Sequence, residues 1–98
     1  MKKKNLVSII MNCHNGEKYL KESLNSLVNQ SYKNWELIFY DNNSSDRSAE
    51  IMRSYNDRRI IYKKTKFINL GLARKRAFGY CKGDYITFLD CDDYWDKN

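Results

Sequence analysis

Short apolar runs and helical stripes alternate along this chain. Leu6-Val7-Ser8-Ile9-Ile10-Met11 is rich in β-branched residues and is bounded by Asn12 and by Asn15-Gly16, which predicts a buried strand. Leu20, Leu24, Leu27 and Val28 then fall at i, i+4, i+7 and i+8, one stripe of a helix. Asn15 is the expected N-cap, Glu17 sits where the helix dipole favours a negative charge, and the helix should stop near Gln30-Ser31. Trp35 to Tyr40 is a second aromatic and β-branched run, followed by Asp41 and the polar loop Asn42 to Asp46. Ile51, Met52 and Tyr55 predict a short second helix, and Ile60-Ile61-Tyr62 a third strand. Leu70, Ala73, Ala77 and Tyr80 or Cys81 mark a third helix, with Gly83 fitting its C′ position. Tyr85 to Leu89 is a fourth strand that runs straight into Asp90-Cys91-Asp92-Asp93.

This β-α-β-α-β-α-β order predicts an α/β fold. Its expected form is a Rossmann-like, three-layer α/β/α half-domain around a mainly parallel four-stranded sheet. Right-handed crossovers leave few topologies, of which the strand order 3-2-1-4 is expected. Ligands of such sheets bind outside the carboxyl ends of the strands. The residues that matter most are then Asn12 to Asn15, Asp41 to Asn43, and Asp90 to Asp93.

Bulk properties narrow the picture. With 98 residues, 42% apolar and 31% charged, the chain fits one small globular domain. The net charge of +6 is scattered over Lys2 to Lys4, Arg58-Arg59, Lys63 to Lys66 and Arg74 to Arg76. Such a balance suits nucleic acid, anionic lipid or a phosphorylated small molecule, with a solvated surface as the bland reading; no run interleaves with aromatics as a nucleic-acid patch would, so no nucleic-acid partner is expected. Cys13, Cys81 and Cys91 match no metal spacing and look like reduced thiols. No stretch approaches the ~20 apolar residues of a membrane span. The segment is expected to be cytoplasmic, and the full-length protein either cytoplasmic or membrane-associated.

Asp90-Cys91-Asp92-Asp93 carries the sharpest chemical signal. Carboxylates packed at the end of an apolar strand repel one another, and a Mg2+ or Mn2+ ion shared with a diphosphate removes that cost. Such an ion also neutralises charge building on a leaving diphosphate. The bland alternative is an acidic turn. Asp41 has two readings: hydrogen bonding to a base or sugar edge, or capping the next turn with Asn42 and Ser44. His14, the single histidine, is a stacking partner for a base, a general base with no orienting partner evident, or a polar loop residue. Gly71 to Arg76 opens the third helix with positive charge. Its amides and Arg74 suit a phosphate; the bland alternative puts Arg74 on the solvated face with Lys75 and Arg76, while Ala73 and Ala77 pack. There is no Walker loop, no Gly-x-Gly-x-x-Gly and no Ser-His-Asp spacing.

Taken together, several segments resemble the family 2 glycosyltransferases. These are Val7 to Ile10 with His14-Asn15-Gly16, Ser26 to Tyr32, Trp35 to Ile38 leading to Asp41 through Asp46, Gly71 to Arg74, Gly83 to Ile86, and Leu89 to Asp93. The resemblance spans nearly the whole chain. It implies a GT-A fold, a nucleotide-diphosphate sugar donor with UDP as the default, and inversion at the anomeric carbon. It further implies that Asn12 and His14 flank the base, Asp41 binds it, Arg74 lies near the nucleotide, Asp90 approaches the ribose, and Asp92 holds the Mg2+ or Mn2+ on the diphosphate. His14 stands where the family often has Tyr, Asn42 where it has Asp, and Lys75 where it commonly has Asn. The family's catalytic carboxylate lies well downstream, on the side that takes a glycan or lipid-linked acceptor. A chain ending at Asn98 is therefore expected to be an excised N-terminal segment or truncated gene product, 1–98 being the nucleotide-sugar-binding part of a truncated GT-A fold. Alone it is expected to bind donor weakly, transfer no sugar and show some self-association through its exposed edge. Two other readings remain: another Mg2+-dependent phosphotransfer or nucleotidyl-transfer domain, and a non-catalytic nucleotide-binding or interaction module.

Overall fold

The computed structural model describes residues 3–91. Its elements run β1 (Lys3–Cys13), α1 (Glu17–Val28), β2 (Trp35–Asn42), α2 (Ser48–Arg53), β3 (Ile60–Thr65), α3 (Leu70–Phe78) and β4 (Gly83–Phe88). All pairings are parallel and the sheet order is β3-β2-β1-β4, as the crossover rule predicts.

Strand alternation divides the core in two. Ile9, Met11, Cys13, Leu37 and Phe39 meet the Leu20, Leu24 and Leu27 stripe of α1 and Met52 of α2. Ile10, Ile38 and Tyr40 meet Ala73 and Ala77 of α3 on the opposite face. Each fully buried leucine of the stripe contributes roughly 1.5–3 kcal/mol relative to exposure. The small alanines let α3 lie close to the sheet. Between these layers β2 is buried along its whole length.

The structure corrects several local expectations. α1 is capped at Gly16, which makes no side-chain cap bond, rather than at Asn15. Asn15 instead adopts a left-handed φ of 54°, and its Oδ1 accepts the Ser45 and Asp46 N–H groups at 2.7 and 3.2 Å. The Glu17 N–H at the start of α1 is answered by Asp46 Oδ2 at 3.0 Å, from the loop before α2. Gly83 is not the C′ residue of α3. That helix ends at Phe78 with Gly79 as its cap, and i→i+3 bonds wind it down through Tyr80 and Cys81. Gly83 opens β4, where its N–H donates to Ser8 Oγ at 2.7 Å. Leu89 follows the strand, yet its N–H still reaches the Ile10 carbonyl at 3.1 Å.

Candidate functional site

A cleft of about 500 Å³ opens where β1 and β4 end and where α1 and α3 begin. Its walls include Asn12 and His14 after β1, Lys18 and Tyr19 of α1, Leu70 and Arg74 of α3, and Phe88, Asp90 and Cys91 at the end of β4. Four of the five residues expected to bind nucleotide, Asn12, His14, Arg74 and Asp90, thus line one space. Asp92, the expected metal ligand, lies outside the described residues.

Each wall residue has a local reason for its place. Asn12 follows Ile10 on the α3 face of β1, and its Oδ1 is buried with no hydrogen-bond partner. His14 Nδ1 lies 2.7 Å from the Asn42 carbonyl. A carbonyl only accepts, so Nδ1 carries the proton, and Nε2 is left as the acceptor facing Asn15 Nδ2 at 3.4 Å. The orienting partner that no sequence spacing revealed is therefore a backbone carbonyl. Phe67 meets the ring edge-on at a centroid distance of 5.0 Å. Arg74 projects from the first turns of α3, with its guanidinium 5.7 Å from the Phe88 ring centroid. That ring supports the cation without neutralising it. Arg74 forms no ion pair among the described residues.

Asp41 is not brought into the cleft. Alternation places it with Phe39 on the α1–α2 face of β2, where it is fully buried. Its Oδ1 accepts the Ser44 N–H at 2.9 Å and its Oδ2 accepts the Tyr62 hydroxyl at 2.5 Å. Of its two readings, the geometry matches the turn-capping one. Burial, then the hydrogen bond and charge of Asp41, push the Tyr62 phenol up to about 12. Asn42 is spent on structure as well, exchanging 2.9 and 2.7 Å bonds with the Ile68 backbone.

Lys18, Tyr19 and Phe88 were not singled out from sequence. Their signal was available: Lys18 and Tyr19 lie off the leucine stripe in the first turn of α1, beside the strand ends, and Phe88 ends β4. Among the described residues, no group of three or more His, Cys, Asp or Glu side chains is arranged to hold a metal.

Comparison with known proteins gives a consistent picture. Residues 8–98 match the sequence profile of "Glycosyl transferase family 2". An uncharacterized glycosyltransferase of Haemophilus influenzae is 44% identical over 95 residues, covering 91% of this chain and 37% of its own length. The UDP-Glc:alpha-D-GlcNAc-diphosphoundecaprenol beta-1,3-glucosyltransferase WfgD of Escherichia coli is 38% identical over 94 residues, covering 95% of this chain and 37% of its own length. The crystal structure of S. aureus TarS in complex with UDP-GlcNAc superposes with a TM-score of 0.88 at 30% identity, over 99% of this chain and 28% of that one. The fold is also that of a mannosyltransferase of Pyrobaculum calidifontis, solved in complex with GDP-Man and Mn2+, at a TM-score of 0.84 and 21% identity over 91% of this chain and 28% of that one. The chain thus spans little more than a third of the two curated relatives' length.

Proposed function

The chain belongs to glycosyltransferase family 2, and from that premise we propose that residues 1–98 form the nucleotide-sugar-binding part of a glycosyltransferase domain. The observation that carries this reading is the convergence of Asn12, His14, Arg74 and Asp90 on one cleft at the carboxyl ends of β1 and β4. Its volume of about 500 Å³ lies within the range of roughly 300–1,000 Å³ typical of small-molecule sites.

In this reading the buried Asn12 Oδ1 accepts a donor of the nucleotide, and the His14 ring, fixed by the Asn42 carbonyl, flanks the base. Arg74 pairs with a phosphate oxygen, braced by Phe88. Asp90 reaches the ribose or the diphosphate, and Asp92 holds a Mg2+ or Mn2+ ion. When bound, that ion offsets the charge on the departing diphosphate. Asp41 supports the site from behind by fixing the loop after β2.

The whole protein transfers a sugar from a nucleotide-diphosphate donor, with inversion, to a glycan or lipid-linked acceptor. UDP is the default nucleotide. It is supported by the UDP-GlcNAc in the TarS complex at 30% identity and by the UDP-Glc in the name of WfgD. No helix among the described residues is long and apolar enough to cross a membrane.

Calorimetric titration of UDP into the 98-residue chain, with and without Mn2+, tests the reading. Binding that needs the metal, and that is lost in Asp92→Ala and weakened in Arg74→Ala, is the expected result. UDP binding unaffected by either substitution would place the nucleotide elsewhere.

A further inference from the structure

Two of the three cysteines meet beneath the cleft. The β1–β4 pairing runs from Val7↔Tyr85 to Ile10↔Phe88 and is extended by the Leu89 N–H on the Ile10 carbonyl. Continued at the same offset, it sets Cys13 opposite Cys91. Alternation turns both side chains to the α1–α2 face, where Cys13 is buried in the core and Cys91 packs against it. A second observation agrees. A β-carbon placed on Gly16 would stand 2.7 Å from the Sγ atoms of both residues. The two sulfurs therefore flank a single point and are separated by no more than twice that distance. The Cys91 thiol alongside, followed by burial, pushes the Cys13 thiol far up from its ordinary pKa. The Ser23 hydroxyl donates to the Cys91 carbonyl at 3.0 Å and fixes its backbone.

We propose that Cys13 and Cys91 are a redox-modification site that closes to a reversible intramolecular disulfide on exposure to a hydroperoxide. The separation suits the bond. With both Sγ atoms 2.7 Å from one point beside Gly16, rotation of the two side chains is the movement that an S–S bond of ~2.05 Å requires. Access also suits it, since Cys91 lines the cleft and is only half-buried. The Cys91 sulfur attacks the peroxide, forming an S–O bond as the O–O bond breaks, and one water leaves carrying the thiol proton. The Cys13 sulfur then displaces the sulfenic oxygen. An S–S bond forms, the S–O bond breaks, and the second water carries away the Cys13 proton. Two thiols lose two electrons and two protons, and the peroxide is reduced to two waters. Cys81 cannot substitute, because it packs with the α3 cluster on the other face of the sheet. On the nucleotide reading above, the bond also pins the segment joining Asp90 to Asp92. The cross-link itself does not depend on that reading.

The test treats the full 98-residue chain with hydrogen peroxide, alkylates the remaining thiols and digests with trypsin under non-reducing conditions. Cleavage after Lys4, Lys18, Arg76, Lys82 and Lys97 puts the three cysteines on separate peptides. The expected product joins the Cys13 and Cys91 peptides, leaves Cys81 alkylated, and reverts with dithiothreitol. It should persist in Cys81→Ser and vanish in Cys91→Ser. Stable oxygenation of Cys91 with Cys13 alkylated, a cross-link that includes Cys81, or alkylation of all three would each overturn the proposal. None of those results bears on UDP binding, so the two readings fail separately.

Discussion

Replacing Gly83 by alanine should destabilise the sheet far more than a single methyl group suggests. An added β-carbon would lie 2.5 Å from the Leu6 carbonyl oxygen, 2.6 Å from Ser8 Oγ and 2.8 Å from the Ser8 nitrogen. Two of these atoms are backbone of β1 and cannot rotate away. The third is the centre of a buried relay: Ser8 Oγ accepts from the Gly83 N–H at 2.7 Å and donates to Glu36 Oε2 at 2.6 Å. Glu36 Oε2 also takes the Lys82 N–H at 2.6 Å. Overpacking of this kind costs about 1–3 kcal/mol, and stranding a buried partner of the relay costs another ~1–3 kcal/mol. A working value of ~3 kcal/mol is a large share of the roughly 5–15 kcal/mol available to a domain. At about 4–8 °C per kcal/mol for a chain of this size, the midpoint should fall by roughly 12–24 °C. Thermal and urea unfolding followed by circular dichroism measure it. Gly71→Ala is the control. Its nearest neighbour is Asn69 Oδ1 at 3.4 Å, inside α3, and alanine there should gain up to ~1 kcal/mol in helix propensity. A loss at Gly83 no larger than ~1 kcal/mol, the ordinary cost of a point substitution, would refute the argument.

Three further expectations follow from the same contacts. Tyr62→Phe removes the donor to a fully buried Asp41 oxygen and should cost ~1–3 kcal/mol by denaturant titration. The Tyr62 phenol is raised from the usual 10 to about 12, so the stability it contributes is fully present below pH 10 and is lost as pH rises toward 12. A tyrosinate absorbance titration and the pH dependence of unfolding should show that component in the wild type and not in Tyr62→Phe. Asn12→Ala removes a buried acceptor that has no partner; it should leave stability within ~1 kcal/mol while weakening UDP binding several-fold in the calorimeter.

The frame was legible because its signals are local and repetitive. The leucine stripe of α1, the unbroken apolar run of β2 and the alternation of elements leave little freedom once crossovers are right-handed. What misled were residues whose partners come from elsewhere in the chain. Asn15 has the composition of a cap, but its side chain is drawn to Ser45 and Asp46, some thirty positions away. Gly83 reads as a helix stop, whereas a close approach to β1 requires it. Asp41 follows an apolar strand, as a ligand-binding carboxylate would, but its two oxygens are taken by the Ser44 N–H and the Tyr62 hydroxyl. Its side of the sheet was readable, since Asp41 lies two positions beyond Phe39. The pairing offset that sets Cys13 opposite Cys91 was not, because parallel register is fixed by packing rather than by a hairpin turn.

The clasp between the start of α1 and the segment that leads into α2 bears on the order in which the chain assembles. The acceptors for the amides of Asn15, Gly16 and Glu17 are Ser44, Ser48 and Asp46. A peptide spanning α1 alone contains none of them, so its first turn frays even though its apolar stripe is intact. Those amides gain protection only after β2 has docked beside β1 and delivered the following loop. Their slowing of hydrogen exchange thus serves as a built-in clock for the moment when the first two strands come together.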